Sequence, residues 1–203
     1  MSTNSLILST SGIFNEHSMF SNISIVWLNG SLRQTDSYPN SRDVKKVVPL
    51  LLYCLIGPII YRSCHLQCQF KGDKHTVQHL NFTEWPNYGV VENLSQLLSF
   101  IKTVANMHQS GAPMAVHCSG GVGRSGTFST IFTFYNVIQE ALAGEENKIL
   151  DDLIDVEGAL YLLPLVKHLR EIRHPWMVEG EEQYTLAYKT CNYVLTELIN
   201  GAS

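Results

Sequence analysis

Apolar residues recur every three or four positions between residues 92 and 107, where Leu94, Leu97, Leu98, Ile101, Val104 and Ala105 mark one stripe of an amphipathic helix. The same spacing predicts a second helix from Arg124 to about Leu142, burying Phe128, Ile131, Phe132, Tyr135 and Ile138. Pro164 suits the first turn of a third helix, with Leu165, Leu169 and Ile172 inward. A fourth, over residues 181–200, presents Tyr184, Tyr188, Val194 and Leu198, with the aromatics read as packing. Strands are expected at about 59–68 and 76–82, joined by a turn at Lys71-Gly72-Asp73-Lys74, and at 114–117, a short apolar run after Pro113. The longest apolar run, 47–61, contains Pro49, Gly57 and Pro58 and is short for a membrane span, so it reads as a buried strand pair. Residues 34–42 are polar around Pro39 and read as a loop or linker.

Composition narrows the class. A chain of 203 residues, 45% hydrophobic and 16% charged, can bury one sizeable core. A net charge of −4 with no evident Lys/Arg-rich face argues against nucleic acid as a partner. Five cysteines (Cys54, Cys64, Cys68, Cys118 and Cys191) make an odd set without the regular pairing of a small secreted scaffold, which favours a reducing compartment. The first twelve residues are mostly polar and uncharged and carry no secretory pattern, so the expected location is cytoplasmic and a membrane anchor is not expected. Sequons at Asn22, Asn29, Asn81 and Asn93 matter only in the secretory pathway. Cys64, Cys68, His75 and His79 suggest zinc, but the gap between the pairs is too short for a finger, and strand residues of a hairpin are the better account. No metal site is expected.

The chemistry concentrates in Val116-His117-Cys118-Ser119-Gly120-Gly121-Val122-Gly123-Arg124-Ser125-Gly126, between the apolar strand and the second helix. Five residues separate Cys118 from Arg124. That length lets successive backbone N–H groups of Ser119, Gly120, Gly121, Val122 and Gly123 face inward, while Arg124 offers a planar fork to two phosphate oxygens. Amide dipoles, a helix N-terminus and a guanidinium together favour a thiolate nucleophile over the thiol. Gly120, Gly121 and Gly123 remove the Cβ atoms that would obstruct an oxyanion. Ser125 can donate to the sulfur, His117 can brace the loop, and Gly126 lets the helix pack closely. The plain alternative is a buried thiol at a strand end followed by a tight turn, and it requires cysteine, arginine and three glycines to coincide by accident.

His117 to Gly126 resembles the H-C-x-x-G-x-x-R-[S/T]-G signature of the cysteine-dependent protein tyrosine phosphatases, in the form of the tyrosine-specific group. Val77, His79, Leu80 and Phe82 lead into Trp85-Pro86-Asn87-Tyr88-Gly89-Val90, which is similar to that family's mobile Trp-Pro-Asp loop. Leu169 to Arg173 and Met177 to Tyr184 look like its last characteristic helix and loop. The likeness runs from about Tyr61 to Leu198, which divides the chain into a divergent or shortened segment, 1–60, and a phosphatase-like domain, 61–203. It implies an α/β fold, a twisted mixed sheet flanked by helices, lacking recognisable N-terminal elements such as the Asn-Arg-Tyr wall of the phosphotyrosine pocket. The pattern of apolar positions supplies only the strand–loop–helix core of that fold.

The resemblance assigns Cys118 as nucleophile, Arg124 and the loop amides as the phosphoryl cradle, and Ser125 as an aid to sulfur departure, with no cofactor and with phosphotyrosine-containing proteins as partners. Three positions depart from it. Asn87 stands where the family carries the aspartate that protonates the leaving tyrosine, and an amide has no acidic proton to give. Glu84, the nearest carboxylate along the chain, precedes Trp85 and is a poor substitute. Glu179 replaces the glutamine that positions the attacking water, adding negative charge near a dianion, while Gln183 matches a second glutamine of the family and can compensate. Val91 stands in place of a common proline. The resulting expectation is a slow phosphatase or, alternatively, a phosphotyrosine-binding pseudophosphatase.

Overall fold

The computed structural model describes residues 6–8, 22–28, 50–51, 61–70, 73–86, 89–108, 114–144, 153–154 and 160–201. They fall into two compact units, one running to Tyr88 and resuming over Asn106–Ser119, the other comprising Gly89–Ala105 and the chain from Gly120 onward.

The first unit is a six-stranded mixed sheet of β1 (Leu6–Leu8), β2 (Asn22–Leu28), β3 (Leu50–Leu51), β4 (Tyr61–Phe70), β5 (Asp73–Phe82) and β6 (Met114–His117). Its order is β1-β6-β2-β5-β4-β3. The four strands from β1 to β5 in that order run parallel, and the edge from β5 through β4 to β3 is antiparallel. Strand β2 had no counterpart in the sequence pattern, yet it lies inside the sheet and pairs with both β5 and β6. Val26, Leu28, Val77, Leu80, Phe82, Met114, Ala115 and Val116 are all buried.

The hairpin is longer than expected. Pairing of β4 with β5 continues to Phe70↔Asp73, so Asp73 and Lys74 belong to the strand rather than the turn, and only residues 71 and 72, outside the described set, separate the strands. Of the strand pair expected at 47–61, β3 pairs with β4 through Leu50↔His65 and Leu51↔Cys64, and residues 52–60 lie outside the described set. The same register sets Cys64 opposite His79 and Cys68 opposite His75.

The second unit is helical: α1 (Leu94–Met107, whose last two residues fall in the first unit), α2 (Gly123–Leu142), α3 (Leu163–Ile172) and α4 (Glu181–Gly201). Asn93 starts α1 by accepting at Oδ1 from the Gln96 N–H at 3.2 Å and the Ser95 hydroxyl at 2.9 Å, a side-chain cap for an otherwise orphaned amide. Leu97, Leu98, Ile101 and Val104 are buried as the stripe requires. All five residues expected in the core of α2 are buried, and Phe128 packs against Phe100 (5.9 Å, tilted) and Phe132 (5.7 Å, stacked). Pro164 lies in the first turn of α3, and Leu165, Val166 and Leu169 are buried. Ile172, expected inward, is instead 62% exposed, because it closes the helix a turn beyond the packed stripe. No helix among the described residues is long and apolar enough to cross a membrane.

Candidate active site

Strand β6 carries the chain to Cys118. It is flanked on both sides by parallel partners, β1 and β2, and Met114, Ala115 and Val116 are buried. A buried parallel strand between two neighbours is a rigid support, and the carboxyl ends of such strands are where α/β sheets present ligand-binding groups. Cys118 follows His117 at that end and is buried, while Ser119 is exposed.

The sheet face beside it is unusually polar for its depth. His79 and Asn81 on β5 are both buried, and among the described residues the side-chain amide of Asn81 has no hydrogen-bond partner. Burial first, and the nearby His117 imidazole second, lower the pKa of His79 from 6.5 to about 4. Burial also lowers that of His117, against the opposing pull of a hydrogen bond with the Cys118 backbone. Both rings are therefore neutral at physiological pH. The unfolded chain takes up a proton near pH 6.5 that folded His79 refuses until about pH 4. Stability should then fall as pH drops through that window, by on the order of 3 kcal/mol from His79, and be insensitive to this residue above it. Denaturant unfolding at pH 5 and pH 7.5 measures the slope, and His79→Gln should flatten it; an unchanged slope in that variant contradicts the assignment.

Trp85 is fully buried and meets the Phe82 ring edge-on at 6.5 Å, which anchors the start of the Trp-Pro-Asn segment. Glu84 is exposed, as is Pro86, and Asn87 lies outside the described residues.

In the second unit the chain enters α2 through Gly120, Gly121 and Val122. Gly121 has φ 68°, a left-handed conformation that glycine adopts without steric cost. Val122 is the N-cap and makes no side-chain cap bond, so the first amides of α2 are not capped by the cap residue's own side chain. Arg124, Ser125, Thr127, Ser129 and Thr130 are all buried in the opening turns. Three of them satisfy themselves on their own helix: Thr127 donates to Gly123 O (3.1 Å), Ser129 to Ser125 O (2.8 Å) and Thr130 to Gly126 O (3.0 Å). The Ser125 hydroxyl, fully buried, has no such partner and keeps its donor uncommitted.

Gln183, at the start of α4, packs on the first residue of α2. A Cβ on Gly123 would lie 2.8 Å from Gln183 Oε1 and 3.0 Å from Nε2, so a larger residue there would push the Gln183 amide out of this position. Thr127 shares its hydroxyl between Gly123 O and Gln183 Oε1 (3.2 Å), which fixes which end of the amide faces the helix. Thr127 had drawn no notice in the sequence, since a threonine inside a helix carries no signal of its own. Gly126 is as tightly constrained: a Cβ there would stand 2.4 Å from Val178 N. Glu179 is exposed, next to Gly180, which has φ 84°. Fully buried Cys191 has its pKa raised well above the usual thiol value by desolvation and is an inert core thiol.

Residues 57–193 match the family model described as Protein-tyrosine phosphatase. Human tyrosine-protein phosphatase non-receptor type 13 is 37% identical over 122 residues, 60% of this chain and 4% of that protein. Human tyrosine-protein phosphatase non-receptor type 20 is 27% identical over 147 residues, 72% of this chain and 31% of that protein. The crystal structure of the catalytic domain of human protein tyrosine phosphatase non-receptor type 18 superposes with a TM-score of 0.59 at 21% identity, over 84% of this chain and 59% of that one. The chain thus spans a small part of the full-length relatives it matches, and it shares the α/β fold of the solved catalytic domain. The matched segment contains β4, β5, β6, the Cys118–Arg124 loop, all of α2 and α3 and the start of α4, and on that extent the chain belongs to the protein-tyrosine phosphatase family.

Proposed function

We propose that this chain hydrolyses phosphotyrosine in proteins through a cysteinyl-phosphate intermediate, at low turnover. The observation that carries the reading is the unbroken run from His117 to Gly126, with nucleophile, arginine and glycines all present inside the matched segment. The Cys118 thiolate attacks phosphorus and the bond from phosphorus to the tyrosine oxygen breaks. Arg124 and the amides of Ser119 to Gly123 hold the equatorial oxygens, where charge is spread. The phenolate leaves without a proton from position 87 and takes one from solvent. Water then attacks phosphorus, oriented by Gln183; the sulfur–phosphorus bond breaks, with Ser125 donating to the departing sulfur; phosphate is released and the thiolate returns. The five cysteines support a reducing, cytoplasmic setting for this chemistry.

Asn87 and the exposed carboxylate of Glu179 favour a second reading, capture of phosphotyrosine proteins with release unchanged. One experiment separates the two. An activated aryl phosphate, whose leaving group needs no acid, should be hydrolysed in a vanadate-sensitive manner under the first reading. No hydrolysis together with calorimetric binding of a phosphotyrosine peptide, removed by Arg124→Met, selects the second. Neither hydrolysis nor binding overturns both.

A further inference from the structure

We propose that Arg170 is a positioning residue that sets the geometry of the Cys118–Arg124 loop through the backbone of Met177 and Val178. The inference rests on the phosphoryl-binding reading above and extends it to a residue of α3 outside the signature.

Val178 has φ 60°, the one non-glycine residue with positive φ among those described. A β-branched side chain in the left-handed region is a genuine outlier, costing on the order of 1–3 kcal/mol, and it persists only where its surroundings over-determine it. Arg170 supplies that constraint. Its Nε donates to Met177 O at 3.0 Å and its Nη2 to Val178 O at 3.3 Å, so one planar guanidinium bridges two consecutive carbonyls. Met177 and Val178 are buried, and the Met177 N–H closes a turn on His174 O at 3.0 Å.

The strained conformation turns the Val178 N–H onto the loop. It donates to Val122 O at 3.3 Å, and the same carbonyl accepts from Gly126 N at 2.9 Å. Gly126 permits the approach because it has no Cβ to meet Val178 N. Val122 O is thereby held by two donors from different segments. In a planar trans peptide the carbonyl and the following N–H point in opposite directions, so fixing Val122 O also fixes the direction of the Gly123 N–H. That amide is one of those expected to meet a phosphoryl oxygen. Arg170 therefore acts on the cradle through the strained backbone of Val178 and the Val122–Gly123 peptide plane.

Arg170→Met should weaken inhibition by vanadate and raise KM for an activated aryl phosphate by roughly ten-fold, the equilibrium equivalent of losing a charged hydrogen bond, with kcat falling less. Arg170→Lys should behave similarly, because an ammonium cannot bridge two carbonyls as a fork does. Adding Val178→Gly to the Arg170→Met protein removes the strain that Arg170 holds, and should return most of the lost affinity; a purely structural role for Arg170 would show no such rescue. Amide exchange at Val178 should quicken in Arg170→Met. Unchanged vanadate affinity and unchanged exchange in both Arg170 variants, or the absence of rescue in the double variant, overturns the proposal. A parent protein that neither binds vanadate nor hydrolyses the substrate sinks the functional reading instead, and exchange at Val178 then decides on the backbone lock alone.

Discussion

Cys118→Ser is expected to abolish hydrolysis of an activated aryl phosphate, by a factor on the order of 10⁴ or more, as removal of a nucleophile does in other covalent enzymes. A serine hydroxyl is almost entirely protonated near neutral pH and is a much weaker nucleophile than a thiol, while differing from it by only one atom. Cys118 follows the buried end of β6, whose strand pairing does not involve the side chain, so the thermal midpoint should be little changed. Phosphotyrosine peptide binding should survive, because Arg124 and the loop amides remain. Steady-state hydrolysis beside calorimetry of the same preparation gives the comparison. Residual hydrolysis within ten-fold of the parent would mean that another group attacks phosphorus, and the assignment of Cys118 would be wrong.

Asn87→Asp should raise turnover of a phosphotyrosine peptide by about 10²–10⁴-fold, the usual worth of general acid assistance, and change hydrolysis of an activated aryl phosphate far less. The contrast arises at the leaving group. A tyrosine phenolate is basic and departs slowly without a proton, whereas an activated phenolate is stable when it leaves. Trp85, buried against Phe82, already anchors the segment in which the aspartate would stand. Equal gains on both substrates would point to improved binding or folding rather than to proton donation. No gain on either would place the defect elsewhere, with Glu179 as the next position to restore to glutamine.

Both predictions concern residues found by type and spacing, and the helices α1 and α2 and strand β6, found in the same way, agree with the structure. The stripe of α1 was legible because that helix packs one face, so burial repeats with the period of the helix, whereas α2 is buried on nearly every side over its first sixteen residues and was found from its large apolar residues. Strand β6 was legible as a short apolar run between a proline and a glycine-rich loop. Strand β2 was not, although Ile23, Ile25, Val26 and Trp27 suit a strand. An interior parallel strand lacks the alternation that marks a half-exposed one, and the partners of β2 lie far along the chain, as in Ser24↔Gln78 and Ser24↔Met114. The hairpin turn was misplaced by two residues for a related reason: Asp73 and Lys74 are common turn formers, but the ladder with β4 recruits them.

The identity of the reacting groups is a property of the covalent chain. A cysteine, an arginine separated from it by five residues, and glycines between them carry the proposed oxyanion chemistry in their order alone, and so does Asn87 at the place proposed to lack an acid. What holds those groups is not local. Gln183 reaches Gly123 and Thr127 across more than fifty residues, and Arg170 reaches the loop only through Val178, whose positive φ no valine would signal in advance. Side-chain chemistry is carried by each residue alone and can be read in one dimension, whereas strain, close approach and shared carbonyls exist only once packing has chosen which distant segments meet.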